Sequence, residues 1–352
     1  MHKTVEVLRR RSVEGEKLRA NLILCFALLA PLILIACPKS DGPEGPRSAI
    51  KTNPQPTATL APIPGAVAFN GERAIEHVKK QLEFGPRPPG SPELAKTRAY
   101  ILEQLKSYGL KVTTDEFSAS TPMGEKSMVN ITAEIPGESR DVIMLTSHYD
   151  SKYFKNMRFV GANDPGSSVG TLLELARVMA ATNSKPKFTY WFAFFDGEEA
   201  FCEGWEQCGK PGAPDNTYGS RHYVAQLQAM KELSRVRALI LLDLMGYKNL
   251  ELGRDTMSIR WLQNIVWETA REIGHGKVFV DRDEGVGGDD HEPFLKAGID
   301  SLDLIQLSNY EYWHTPEDTI DKISPASMKI VGDVIIASLP KIEQYLSNHS
   351  KN

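Results

Sequence analysis

Apolar residues along the chain fall into two alternating patterns. Some segments repeat them every three or four positions; others run them together without a break. "GERAIEHVKKQLEF" (71–84) has helical spacing and stops at Gly85. "GPRPPGSPE" turns the chain, and "LAKTRAYILEQLKSYG" takes up helical spacing after Ser91, with Gly109 as its stop. Four segments read as strands: "SMVNITAEI", "DVIMLTSH", "KFTYWFAFF" and "VRALILLDLMG". The middle two are continuously apolar, as strands covered on both faces are. "SSVGTLLELARVMAAT" between them predicts a helix, and three more follow in "YGSRHYVAQLQAMKEL", "MSIRWLQNIVWETAREIG" and "PASMKIVGDVIIASLPKIEQYL". There are no internal repeats. The alternation predicts an α/β domain of three layers, α/β/α, around a central mixed sheet that is mostly parallel.

The first 66 residues depart from this pattern. A basic start with Arg9 to Arg11 leads into the apolar run Leu22 to Ala36, shorter than the roughly 20 residues of a membrane span. Residues 1–36 therefore read as a secretory signal. "LIAC" (Leu34 to Cys37) resembles the bacterial lipobox, which implies cleavage before Cys37 and lipidation of that residue. Residues 37–66, rich in Pro, Gly, Ser and Thr, suit a flexible tether. The catalytic domain is then expected over 67–352, held at the bacterial cell envelope by a lipid and facing the periplasm or exterior.

Of 352 residues, 41% are hydrophobic and 24% charged, and the formal net charge is -4, so no basic field points to nucleic acid. Cys202 and Cys208 share one loop. An exported protein can keep them as a disulfide; the alternatives are free thiols or soft metal ligands.

Polar clusters stand where the strands end. "SHYDS" (147–151) follows "DVIMLT", "DGEE" (196–199) follows "FTYWFAFF", Asp243 ends "ALILL", and "WHT" (313–315) follows "LDLIQLSNY". Ligands in open α/β sheets bind beyond the carboxyl ends of the strands, so these clusters are expected to share a pocket. The candidates are His148, Asp150, Asp164, Glu198, Glu199, Asp243, Asp289, Asp290, His291 and His314. Imidazoles and carboxylates without cysteine suit catalytic Zn²⁺, and a cation would explain acidic residues at the end of so apolar a run. Neighbouring side chains of an extended segment point opposite ways. One of Glu198 and Glu199 can therefore ligate while the other faces substrate as a proton shuttle. Taken singly, each residue has an ordinary alternative: a hydrogen-bonded histidine, a turn or N-cap aspartate at Asp164, an arginine partner for Asp243. Their order at successive strand ends favours a metal site.

His148 in "HYD", Asp164 in "GAND", the "EE" pair, Asp243 in "LLDL" and His314 in "WHT" resemble the zinc aminopeptidase and glutaminyl cyclase superfamily over roughly Gly71 to Leu346. "HYDSKYF", "FVGAND", "FFDGEEAF", "YGSRH", "LLDLMG", "DDHEPFL" and "WHTPEDT" resemble the cyclase branch. That resemblance implies a zinc-exopeptidase-like fold and one Zn²⁺ on Asp164, Glu199 and His314. It implies Glu198 as proton shuttle, Asp243 and Asp289 in a hydrogen-bond network beside it, and Trp205 and Trp313 around the substrate glutamine. The implied reaction turns the N-terminal glutamine of peptides or exported proteins into pyroglutamate and releases ammonia. There are departures. Ser147 replaces a cysteine of the animal cyclases, "GANDPGSSVG" is glycine-rich as in aminopeptidases, and the loop from Cys202 to Asn216 is longer. The second reading is a zinc aminopeptidase with two ions, His148 and Asp243 joining the ligands and Asp164 bridging. A third, a binding module without catalysis, sits poorly with an intact ligand set. The tethered chain needs no partner subunit and is expected to be a monomer.

Overall fold

A computed structural model describes residues 67–182 and 184–349. The signal, Cys37 and the tether lie outside the described residues. None of the described helices is long and apolar enough to cross a membrane.

Helix α1 (Gly71–Phe84) starts where the Asn70 side chain accepts the N–H of Glu72 and Arg73; α2 (Pro92–Ser107) starts on Ser91, whose hydroxyl accepts from Leu94. The strands are β1 (Lys111–Thr121), β2 (Gly124–Ile135), β3 (Val142–His148), β4 (Thr189–Phe195), β5 (Val236–Leu242) and, near the end, β8 (Ser301–Leu304). They form one six-stranded sheet in the order β1-β2-β4-β3-β5-β8. β4, β3, β5 and β8 are mutually parallel, while β2 runs antiparallel to β4 and β1 to β2. A second, two-stranded parallel sheet joins β6 (Leu252–Asp255) and β7 (Phe279–Glu284).

Alternate strand residues face opposite helix layers. Ile143, Leu145, Phe192, Phe194, Ile240 and Leu302 pack with α1, α2, α3 (Ser168–Ala180), α5 (Arg260–Glu272) and α7 (Pro325–Asn348). Val142, Met144, Phe195, Leu239 and Leu241 pack with α4 (Tyr218–Ala229) and α6 (His291–Lys296). Both faces are covered, which is why β3 and β4 read as unbroken apolar runs; each fully buried Phe or Leu contributes about 2 kcal/mol. The three layers and the mostly parallel sheet are those expected from the sequence.

Other elements went unforeseen. β1 is polar on both sides, with Ala119 its one buried residue, and holds its place by pairing with β2 from Lys111↔Glu134 to Thr121↔Gly124. The short α6, β6, β7 and β8 lack a run long enough to show a period. α4 ends at Ala229, four residues before the expected stop, because the chain reverses at Lys231 with φ 58°.

Candidate active site

Four parallel strands deliver their carboxyl ends to one edge, in register: Ser147 pairs with Phe194 and His148 with Phe195. His148 ends β3. After β4, Gly197 (φ 75°) turns the chain so that Glu198 and Glu199 follow at once. Asp243 follows β5, and Asp164 lies in an irregular turn, Ala162–Ser167, ahead of α3. His314 comes from the loop after β8. Asp243 is followed by Leu244 at φ 52°, and His314 itself sits at φ 54°. Left-handed backbone in a non-glycine residue costs of order 1 kcal/mol or more and persists only where its surroundings hold it.

The structure brings the expected ligands into two triads that share one carboxylate. Asp164 Oδ2 and Glu199 Oε1 lie 3.3 and 3.1 Å from His314 Nε2. Asp164 Oδ1 and Asp243 Oδ1 lie 3.2 and 3.4 Å from His148 Nε2. In each triad one ligand atom per residue falls within 4.8 Å of the others. Ligand atoms about 2.1 Å from a tetrahedral Zn²⁺ stand about 3.4 Å apart, so both donor sets fit such an ion. Glu199 Oε2 is buried without a hydrogen bond among the described residues, a further opening for a cation. Glu198 and Glu199 do diverge: Glu198 Oε2 is 3.6 Å from His148 Nδ1, while Glu199 turns to His314.

Protonation reflects this crowding. Burial, then the charges of Glu199, Asp289 and Asp290, push the Glu198 carboxyl well above its usual range against the pull of His148. Burial raises Asp243 to about 6; burial and then Asp243 raise Asp289 to about 7. Burial works against a charged His314, yet Glu199 and Asp164 raise it to about 9. Asp164 is held below its ordinary value, the two histidines outweighing its burial. Without a cation the cluster gathers protons; a dication would stand in for them.

Residues without an assigned role in the sequence hold this arrangement in place. Asp150 Oδ1 accepts the N–H of Gly197 (2.9 Å) and Glu198 (3.1 Å), and its Oδ2 that of Glu199 (3.3 Å). Asp318 of "WHTPED" accepts the N–H of Asn163 (2.8 Å) and Asp164 (3.1 Å) and the Tyr310 hydroxyl (2.6 Å). Buried Arg87 of "GPRPPG" donates to the carbonyls of Val160 (2.7 Å) and Gly161 (3.1 Å), fixing the approach to Asp164. Lys152 donates to the carbonyls of Ala200 (2.8 Å) and Cys202 (3.2 Å), with its ammonium 3.8 Å from Glu199 Oε2. An arginine between prolines and a lysine beside the "HYD" motif were the signals available for the last two.

A cavity of about 350 Å³ opens over the cluster, with Asp164, Glu198, Glu199, Asp243, Asp289 and His314 on its floor and Trp205, Trp313, Glu206, Val286, Gly287, Gly288, Ile305 and Leu307 around it. Trp313 is 42% exposed and stacks on His314, ring centroids 4.0 Å apart. Trp205 rides on a loop closed by a Cys202–Cys208 disulfide; Asn216 donates to its carbonyl at 3.0 Å. Its Nε1 would lie 3.2 Å from a Cβ added at Gly288. Asp290 turns to Ser220, whose hydroxyl donates to it at 2.5 Å. His291 lies in a separate group with Asp289 and Asp303.

Residues 130–339 match the sequence model of Peptidase family M28. The chain belongs to that family. Among M28-like relatives, it is 31% identical over 284 residues to a mouse glutaminyl-peptide cyclotransferase-like protein, covering 72% of this chain and 71% of that one. An aminopeptidase of Bacillus subtilis is 32% identical over 241 residues, 65% of this chain and 47% of its own length. The crystal structure of a glutaminyl cyclase from an Acidobacteriales bacterium superposes with a TM-score of 0.73 at 34% identity, over 80% of this chain and 97% of that chain. The matched stretch contains His148, Asp164, Glu199, Asp243 and His314.

Proposed function

We propose that this M28 chain is a glutaminyl-peptide cyclotransferase, converting the N-terminal glutamine of peptides or exported proteins to pyroglutamate. The observation that carries the reading is the cavity itself: two indoles, Trp205 and Trp313, flank a pocket whose floor presents Glu198 beside Asp164, Glu199 and His314. The relatives named as cyclases support it.

Asp164, Glu199 and His314 are the residues that would hold a single zinc ion. The chemistry such an ion would supply there is Lewis-acid polarisation of the γ-carboxamide carbonyl. Trp205 and Trp313 would grip the glutamine side chain and keep the substrate's α-amine against its Cδ, which makes ring closure an oriented unimolecular step. Glu198, 6% exposed, takes the proton of the attacking amine. As the new N–Cδ bond forms and the Cδ–Nε bond breaks, it hands that proton to the departing nitrogen, which leaves as ammonia. Asp243 and Asp289 face the same cavity, and the Asp289 charge is among those that raise the shuttle's affinity for the proton it carries.

The completeness of the His148–Asp164–Asp243 triad favours a second reading, a two-zinc aminopeptidase in which Glu198 deprotonates a water. Incubating the zinc-loaded protein with one peptide beginning Gln and another beginning Leu separates the two by mass spectrometry. Loss of ammonia from the first, with the second intact, is expected; release of free leucine would establish the peptidase instead. We further propose that Cys37 carries the lipid, that residues 38–66 tether a monomeric domain to the envelope, and that Cys37→Ala moves the protein from the membrane fraction to the soluble one.

A further inference from the structure

We propose a separate cation site behind the cavity wall, formed by Asp289, His291 and Asp303. The three come from different places: the loop before α6, the first residue of α6, and the middle of β8. Asp289 is 2% exposed, His291 and Asp303 not at all. Among the described residues, Nδ1 of His291, both carboxylate oxygens of Asp303 and Oδ2 of Asp289 lack a hydrogen-bond donor or acceptor that fits them as they stand. Buried groups of this polarity are rarely left so; each orphan costs about 1–3 kcal/mol, more if charged. Asp289 and Asp303 lie close enough to share a proton, but only a cation would engage both of them and His291 Nδ1 at once.

The distances say what. One ligand atom from each of the three residues falls within 4.8 Å of the other two. His291 Nδ1 stands 3.8 Å from Asp303 Oδ2, too far for a hydrogen bond. Two ligands bonded at about 2.1 Å to one tetrahedral ion are separated by about 3.4 Å, so a small contraction closes the gap around a metal. Asp255 completes the argument. Its Oδ2 accepts the N–H (2.7 Å) and hydroxyl (2.6 Å) of Ser258 and so cannot swing. That same oxygen lies 3.2 Å from His291 Nε2. A fixed carboxylate at Nε2 orients the ring and leaves Nδ1 facing Asp303, the arrangement found behind metal-bound histidines. No described Lys or Arg forms an ion pair with Asp255, Asp289 or Asp303, so the carboxylates have no protein cation to balance them. One imidazole with two carboxylates selects a divalent ion of the zinc class.

Such an ion would hold Asp289 from behind while its carboxyl faces the catalytic cavity. The site shares no ligand with the Asp164 triads, and it can be tested without any assay of activity. The full chain, saturated with zinc chloride and crystallised, is examined at the zinc absorption edge. The expected map has an anomalous peak bounded by Asp289, His291 and Asp303, apart from density at Asp164. His291→Gln should erase that peak and lower bound zinc by one equivalent in elemental analysis, leaving the Asp164 peak. If that variant does not fold, the wild-type map decides alone. Zinc at the Asp164 cluster only, with water or direct hydrogen bonds joining the three residues, overturns the proposal. A protein that binds no zinc anywhere overturns it together with the Asp164 assignment.

Discussion

Replacing Asp150 with asparagine measures what holds the turn that presents the two glutamates. The carboxylate is fully buried and accepts three successive backbone N–H groups, from Gly197, Glu198 and Glu199. Asparagine keeps the shape but offers one oxygen. Placed toward Gly197 and Glu198, it leaves the Glu199 N–H facing an amide NH₂, donor against donor. A hydrogen bond to a charged acceptor contributes about 1.5–3 kcal/mol. Losing one and weakening two puts the gross loss at about 3–5 kcal/mol, comparable to breaking a buried ion pair. Part is offset: Asp196, raised to about 8 by burial and then by the Asp150 charge, is relieved when that charge goes, by about 1 kcal/mol. The net expectation for Asp150→Asn is a loss of about 2–4 kcal/mol in urea unfolding of the metal-free protein, followed by circular dichroism. A loosened turn also misplaces Glu198, so kcat/KM on a Gln peptide should fall about 100-fold, the effect of a displacement near 1 Å. Unfolding within about 0.5 kcal/mol of wild type together with unchanged kcat/KM would refute the reasoning. The backbone bonds from Thr217 and Tyr218 to Glu198 and Gly197 would then suffice to hold the turn.

Other expectations follow from the same geometry. Glu198→Gln should lower cyclisation about 10²- to 10⁴-fold with zinc content unchanged; full activity would remove its shuttle role. Gly288→Ala places a Cβ 3.2 Å from Trp205 Nε1 on a backbone at φ 138°. KM for a Gln peptide should rise roughly tenfold, with kcat less affected, for a penalty of about 1.4 kcal/mol. Reducing Cys202–Cys208, six residues apart, should cost about 2 kcal/mol by the loop-closure argument and raise KM through Trp205, leaving metal content intact. His77 donates to or accepts from the Tyr100 hydroxyl at 2.6 Å, and burial lowers its pKa from 6.5 to about 4. The folded value lies below the unfolded one, so the unfolded chain takes up the proton first. Stability is whole above pH 6.5 and declines by about 3 kcal/mol as pH falls to 4. His77→Gln should flatten that decline in urea midpoints measured across the range, and an equal slope in both proteins would count against it.

The sheet and the gathering of polar residues at its strand ends were legible because burial on both faces writes itself as long apolar runs, and because parallel strands must end together. β3 and β4 announced His148 and the Glu198–Glu199 pair in this way. What escaped notice did so for physical reasons. β1 is specified by its ladder with β2 and by little apolar burial, so its sequence "KVTTDEFSAST" carries no stripe. β8 is four residues long and hides an aspartate, Asp303, among its apolar neighbours. Arg87, Lys152 and Asp318 act through hydrogen bonds to backbone carbonyls and N–H groups, and a backbone partner leaves no mark in the sequence.

Asp164 offers one oxygen to each of two histidines, and that division couples whatever occupies the two triads. Ions held on opposite oxygens of one carboxylate draw on the same negative charge and repel each other across it. Filling one triad must therefore weaken the other, and by linkage the reverse holds to the same degree. If both bind zinc, the two places would form a graded pair with anticooperative occupancy. Across a range of zinc concentrations this scaffold would pass from a one-ion to a two-ion state without a change in any ligand. On such a scaffold the ion count would follow the surrounding zinc activity as much as the amino-acid sequence.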